Sequence, residues 1–98
     1  MEVAEMLSER RRDHREPEQV KITVKGMDCR GSFFEEHTET IELCRTALSF
    51  NLNTPIFAQT VLAIEINGHG FLSDKFQAQV ARIDTSHKNG QFVAALIL

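Results

Sequence analysis

Val20, Ile22 and Val24 alternate with Lys21, Thr23 and Lys25. A period of two suits a strand with one dry and one wet face, and it cannot line one face of a helix. This extended character recurs through most of the remaining chain. Gly26, Asp28 and Gly31 supply turn chemistry, and Phe33 to Leu43 resumes in residues that suit a sheet, among them Thr38, Thr40, Ile41 and Leu43. Leu48, Phe50 and Leu52 alternate with Ser49 and Asn51, and Asn53-Thr54-Pro55 closes this third strand with a turn. Further strands are predicted from Thr60 to Ile66 and from Phe71 to Ile83. The last spans Gln91 to Leu98, where the near-continuous apolar run FVAALIL reads as a buried strand. Asn67-Gly68-His69-Gly70 and His87-Lys88-Asn89-Gly90 carry the hairpin signals between them. Five to seven strands with such short connections predict an antiparallel meander, which loses its free edges most simply by closing into a small barrel.

The chain has 98 residues, enough for one core and one domain. Its formal net charge of -3 excludes a general polyanion binder, so no nucleic acid polymer is expected as a partner. No apolar run approaches the roughly 20 residues of a membrane span, and the N-terminus lacks the layout of a secretory signal. A cytoplasmic protein with reduced thiols is expected. Cys29 and Cys44 do not resemble the dense stapling of secreted mini-domains, and Cys44, inside a strand region, is expected to be buried and inert. His14, His37, His69 and His87 are scattered with no ligand spacing, so neither a metal nor a cofactor is expected. GxSxG, HExxH and CxxC are absent, and Gly68-His69-Gly70 joins two strands without the helix that would hold a phosphate. Nothing in the sequence points to an enzyme. With seven Phe and neither Trp nor Tyr, rings for stacking on bases are few, which counts against an oligonucleotide-binding barrel.

Residues 1–17 form a charged arm ahead of a domain that runs from 18 to 98, with Pro17 favouring an extended entry into the first strand. The segment Glu9-Arg10-Arg11-Arg12-Asp13-His14-Arg15 concentrates guanidinium groups. Each offers a planar fork to phosphate oxygens and a flat face to a purine. The competing reading is a solvated basic stretch neutralised by Glu5, Glu9, Asp13 and Glu16.

An arm reading RRxxxR, here Arg10, Arg11 and Arg15, ahead of such a barrel resembles the PilZ domain, a bacterial receptor module for cyclic di-GMP. Val20, Ile22 and Val24 look like the family's first strand, Phe34 to Leu52 like its second and third, and Phe92 to Leu98 like its last. The resemblance implies a six-stranded antiparallel barrel and a non-enzymatic signalling role. It also implies that Arg10, Arg11 and Arg15 hold the phosphates and stack on guanine. The family's second motif, [DN]xSxxG, falls on Glu42 to Ala47, and this chain departs from it with Glu42, Cys44 and Ala47 at the three diagnostic positions. Glu42 keeps an acceptor one methylene further out, Cys44 replaces a hydroxyl with a weak thiol, and Ala47 adds a Cβ. Together these changes are expected to lower affinity by roughly two orders of magnitude. The alternative is a degenerate PilZ-like barrel that binds no nucleotide and serves as a protein interaction or oligomerisation module through the last strand or the arm. The chain ends on its last strand, where many members of the family continue into a C-terminal helix. The surface that helix covers is therefore expected to be exposed or self-associated.

Overall fold

A computed structural model describes residues 19–67, 74–85 and 90–98. Six strands run in chain order: β1 (Lys21–Met27), β2 (Phe33–Leu43), β3 (Ala47–Leu52), β4 (Val61–Ile66), β5 (Lys75–Asp84) and β6 (Gln91–Ile97). Every neighbouring pair is antiparallel, and the sheet closes on itself in the order β1-β2-β3-β6-β5-β4. Closure removes the free edges of a six-stranded sheet. No helix among the described residues is long and apolar enough to cross a membrane.

The connectivity is not the simple meander expected. Two three-stranded meanders are joined by a crossover over residues 53–60, so β3 pairs with β6, and β1 with β4. The crossover passes over one end of the barrel and is tied down there. Its Pro55 carbonyl accepts from Cys29 N at 2.9 Å, and Ile56, 5% exposed, joins the core. Gln59 N donates to the Val80 carbonyl at 2.7 Å, and Val80 N to the Thr60 carbonyl at 2.9 Å, leading the chain into β4 beside β5.

Alternation fills the interior with Ile22 and Val24 from β1, Leu48, Phe50 and Leu52 from β3, Leu62 and Ile64 from β4, and Val80, Val93 and Ala95 from the last two strands. A barrel of this size is packed solid by its own side chains. The last strand is buried on one face only. Gln91, Val93 and Ala95 are buried, whereas Leu96 is 53% and Leu98 65% exposed, which corrects the expectation of a fully buried strand.

Two bulges repair the phase of the inward face. Thr40 and Phe50 face the core as a pair, and the register then slips at Ile41 so that Glu42 opposes Ser49 and Leu43 opposes Leu48. Without that extra residue Glu42 would point inward and Leu43 outward. The slip between Val80 and Arg82 does the same, returning Ile83 to the core opposite Val93 and keeping Arg82 outside, over the Phe92 ring at 5.6 Å.

Glu36 is the charged residue on the inward face of β2. Its carboxylate accepts from Asn53 N at 2.7 Å, Thr54 N at 3.0 Å and the Thr54 hydroxyl at 2.7 Å, fixing the start of the crossover. A hydrogen bond to a charged group contributes about 1.5–3 kcal/mol net, less where water can take its place, as it can at half-buried Glu36. Glu36→Ala is expected to lower stability by about 2 kcal/mol, and the melting temperature by roughly 10 °C for a domain of this size. Thermal unfolding followed by circular dichroism measures it, and an unchanged melting temperature would show that the crossover is held without Glu36.

Candidate functional site

One end of the barrel gathers the start of β1, the β2–β3 hairpin, the end of β4, the start of β5 and the end of β6. The chain enters the barrel at this end. Val20 N donates to the Thr40 hydroxyl at 3.1 Å, and Thr40 N donates back to the Val20 carbonyl at 2.9 Å. Thr40 is fully buried, so its hydroxyl needs a partner inside the protein, and Val20 provides it. This reciprocal clamp holds the lead-in to β1 against β2, two residues before Glu42. Asn67 N donates to the Lys21 carbonyl at 2.9 Å and closes the other flank of β1.

The hairpin turn runs through Cys44, Arg45 and Thr46, all exposed. Cys44 N donates to the Ala47 carbonyl at 2.9 Å, and Ile97 N donates to the Thr46 carbonyl at 2.9 Å, so the turn is tied both to itself and to β6. Glu42, Cys44 and Ala47 therefore lie on one hairpin, with Glu42 and Cys44 exposed and Ala47 half-buried opposite Leu96. Ala47 lies within β3, and among the described residues Gln59 is the one residue other than glycine with positive φ, at 74°. The conformational argument for glycine at position 47 thus does not apply. Only the added Cβ distinguishes Ala47 there.

Cys44 corrects an expectation, because it is an exposed free thiol in a turn and not a buried strand residue. The Thr46 backbone amide holds its pKa below the ordinary thiol value, with help from the Thr46 hydroxyl and the Ala47 amide. Partial burial and the Glu42 carboxylate oppose them less strongly. The Thr46 hydroxyl lies 3.8 Å from the sulfur. A lowered pKa puts more thiolate in solution at a given pH, and the thiolate is the nucleophile. Cys44 is expected to be alkylated by iodoacetamide several-fold faster than half-buried Cys29, with a pH midpoint below that of a free thiol. Peptide mapping across a pH series measures both rates, and equal labelling of the two cysteines would remove the distinction.

The turn also presents Arg45 and the Thr46 hydroxyl, which sequence reasoning passed over as unspecified positions of the motif. Their only sequence signal is a cation and a hydroxyl inside a predicted hairpin. The half-buried apolar residues Leu43, Ile66, Phe76 and Ile97 pack against the core at this end. Arg10, Arg11 and Arg15 lie outside the described residues, as do His14, His69 and His87. Among the described residues, no group of three or more His, Cys, Asp or Glu side chains is placed to hold a metal ion.

Because the interior is packed, any ligand at this end must lie on the hairpin and rim, not inside the barrel. A groove of about 270 Å³ lies on the outer wall formed by β1, β4 and β5, over Ala63 between Lys25, Glu65, Lys75 and Gln77, and reaches the same end of the barrel at Glu65, Lys75 and Phe76. It falls short of the roughly 300–1,000 Å³ usual for small-molecule sites, and neither β2 nor β3, which carry the hairpin, lines it. Set against known families, curated proteins and solved structures, the chain matches none.

Proposed function

We propose that this chain is a non-enzymatic, cytoplasmic receptor module of bacterial signalling that binds cyclic di-GMP between its arginine arm and the β2–β3 hairpin. The Val20–Thr40 clamp carries this reading, because it roots the arm beside the hairpin that bears the second-motif positions. Val20 lies five residues after Arg15 in the chain, and an extended chain covers at most about 3.6 Å per residue. Connectivity alone therefore keeps Arg15 within about 18 Å of Val20 in the clamp. Arg11 and Arg15 grip phosphate oxygens and stack on guanine, while Glu42 accepts from the guanine edge and Arg45 adds positive charge from the turn. Ordering the arm on the ligand changes the surface offered to a partner, which is how a module without catalysis passes on a signal.

Isothermal titration of the folded full chain with cyclic di-GMP, at low and at physiological salt, tests the reading. Saturable binding that weakens with salt is expected, and no heat at high micromolar ligand would reject it. The alternative, a barrel without nucleotide binding that acts through protein contacts, draws on exposed apolar side chains, notably Phe33 at 77% and Leu98 at 65% exposure. A nucleotide-insensitive partner, with no heat in the titration, would favour it.

A further inference from the structure

We propose that the outer face of β1 and β2 is a contact surface for a second copy of this chain. The two barrels lie side by side about a two-fold axis parallel to these strands. The inference is independent of nucleotide binding. A closed sheet has no edge on which another strand could add, so association must use side chains on a wall.

The wall of β1 and β2 is patterned for this purpose. Its outward cross-strand pairs are Lys21 with Glu39, Lys25 with Glu35 and Met27 with Phe33, and between the two charged pairs lies Thr23 with His37, where Thr23 is buried and bonded to His37 and Asn67. One column is therefore basic, the neighbouring column acidic, and both end in a large apolar side chain. Lys21, Lys25, Glu35 and Glu39 are exposed, and Met27 is 51% and Phe33 77% exposed. Among the described residues, no ion pair joins Lys25 to Glu35 or Lys21 to Glu39 within one chain; the ion pair on this wall is His37 Nε2 to Glu35 Oε2 at 3.9 Å. Val61, 45% exposed, continues the apolar end on β4, next along from the Lys25–Ala63 pair.

Charge selects the orientation. A two-fold axis lying across the strands would set β1 on β1 and β2 on β2, bringing lysines to lysines and glutamates to glutamates. An axis along the strands sets β1 on β2. Lys25 then faces Glu35 of the second copy, Lys21 faces Glu39, and Met27 meets Phe33, each contact occurring twice as an isologous interface requires. Two sets of opposite charges thus flank a polar middle and an apolar cluster closes one end, and the charge complementarity fixes register and rejects wrong partners. Two convex walls meet along a narrow stripe about 20 Å long, the length of a seven-residue strand, too narrow to reach the roughly 800 Å² per partner of a standard interface. The dimer is accordingly weak and concentration-dependent.

Sedimentation velocity on the full chain, from about 10 μM to 1 mM, tests the proposal, with circular dichroism as the check on folding. A monomer–dimer equilibrium is expected in that range. Phe33→Ser and Lys25→Glu should each weaken it at least tenfold, and the swap Lys25→Glu with Glu35→Lys should restore it, because it exchanges the signs and keeps the complementarity. Should a variant fail to fold, the wild-type chain in 0.5 M NaCl supplies a second measurement, in which the dimer should weaken. A chain that stays monomeric throughout, a dimer indifferent to both Lys25→Glu and salt, or a swap that does not restore association would overturn it.

Discussion

Gly90→Ala is expected to lower the melting temperature by roughly 15 °C, whereas Gly31→Ala lowers it by about 5 °C. Both glycines hold positive φ, Gly31 at 82° and Gly90 at 112°, a region that L side chains avoid. Their surroundings differ. A Cβ at Gly31 meets nothing within 4 Å, so Gly31→Ala carries only the backbone strain of about 1 kcal/mol. A Cβ at Gly90 would sit 2.7 Å from the Leu52 carbonyl oxygen, 2.9 Å from Asn53 Oδ1 and 3.3 Å from the Leu52 carbonyl carbon. The Leu52 carbonyl cannot retreat easily, because Leu52 is paired with Gln91 in the β3–β6 ladder, whereas the Asn53 side chain can turn aside. Strain and overpacking together come to about 3 kcal/mol, a large part of the stability of a domain this small. Thermal melts of the two variants side by side separate conformational strain from steric contact. Equal losses in both would show that β3 and the strand after Gly90 can move apart.

β1 and β3 were legible because each carries a two-residue period, and a period states which side chains share a face. It does not state which strand lies alongside. Val93 and Ala95 alternate inward whether β6 pairs with β1, as in a simple meander, or with β3, as it does. The choice rests on the crossover at 53–60, whose anchors are Ile56 and the bonds from Glu36, and those are tertiary facts. The bulges left a fainter trace. Thr40 and Leu43 both face inward although three residues apart, as do Val80 and Ile83, and an odd spacing between two inward residues of one strand requires an extra residue between them.

At the candidate site, the motif spacing fixed where the hairpin would fall but not the environment of Cys44. Reading residues 33–43 and 48–52 as strands left 44–47 between them, and a turn exposes what a strand interior would bury. The one-sided burial of β6 has a related cause. Leu96 and Leu98 are apolar, which in a sequence reads as burial, yet on a single-layer barrel the outer face has no second layer to cover it.

Replacing Arg11 and Arg15 together by Ala is expected to reduce the affinity for cyclic di-GMP at least a hundredfold. A charge-assisted hydrogen bond is worth about 1.5–3 kcal/mol, so two lost phosphate grips remove about 3 kcal/mol or more, and each 1.4 kcal/mol is a factor of ten. The salt dependence should flatten as well, since fewer cations face the phosphates. Arg11→Lys with Arg15→Lys should fall between wild type and the alanine variant, because lysine keeps the charge but loses the planar fork and the stacking face. On the hairpin, Cys44→Ser restores a hydroxyl at an exposed position and should tighten binding by about fivefold, or about 1 kcal/mol. Ala47→Gly should gain less, because Ala47 sits in β3 without positive φ and its half-buried side chain packs beside Leu96. Titration calorimetry on this series separates the two halves of the site. If the arm variants bind like wild type while Cys44→Ser still changes affinity, the hairpin holds the ligand without the arm. If neither moves the affinity, the nucleotide lies elsewhere, and the groove over Ala63 between Lys25 and Lys75 becomes the next place to look.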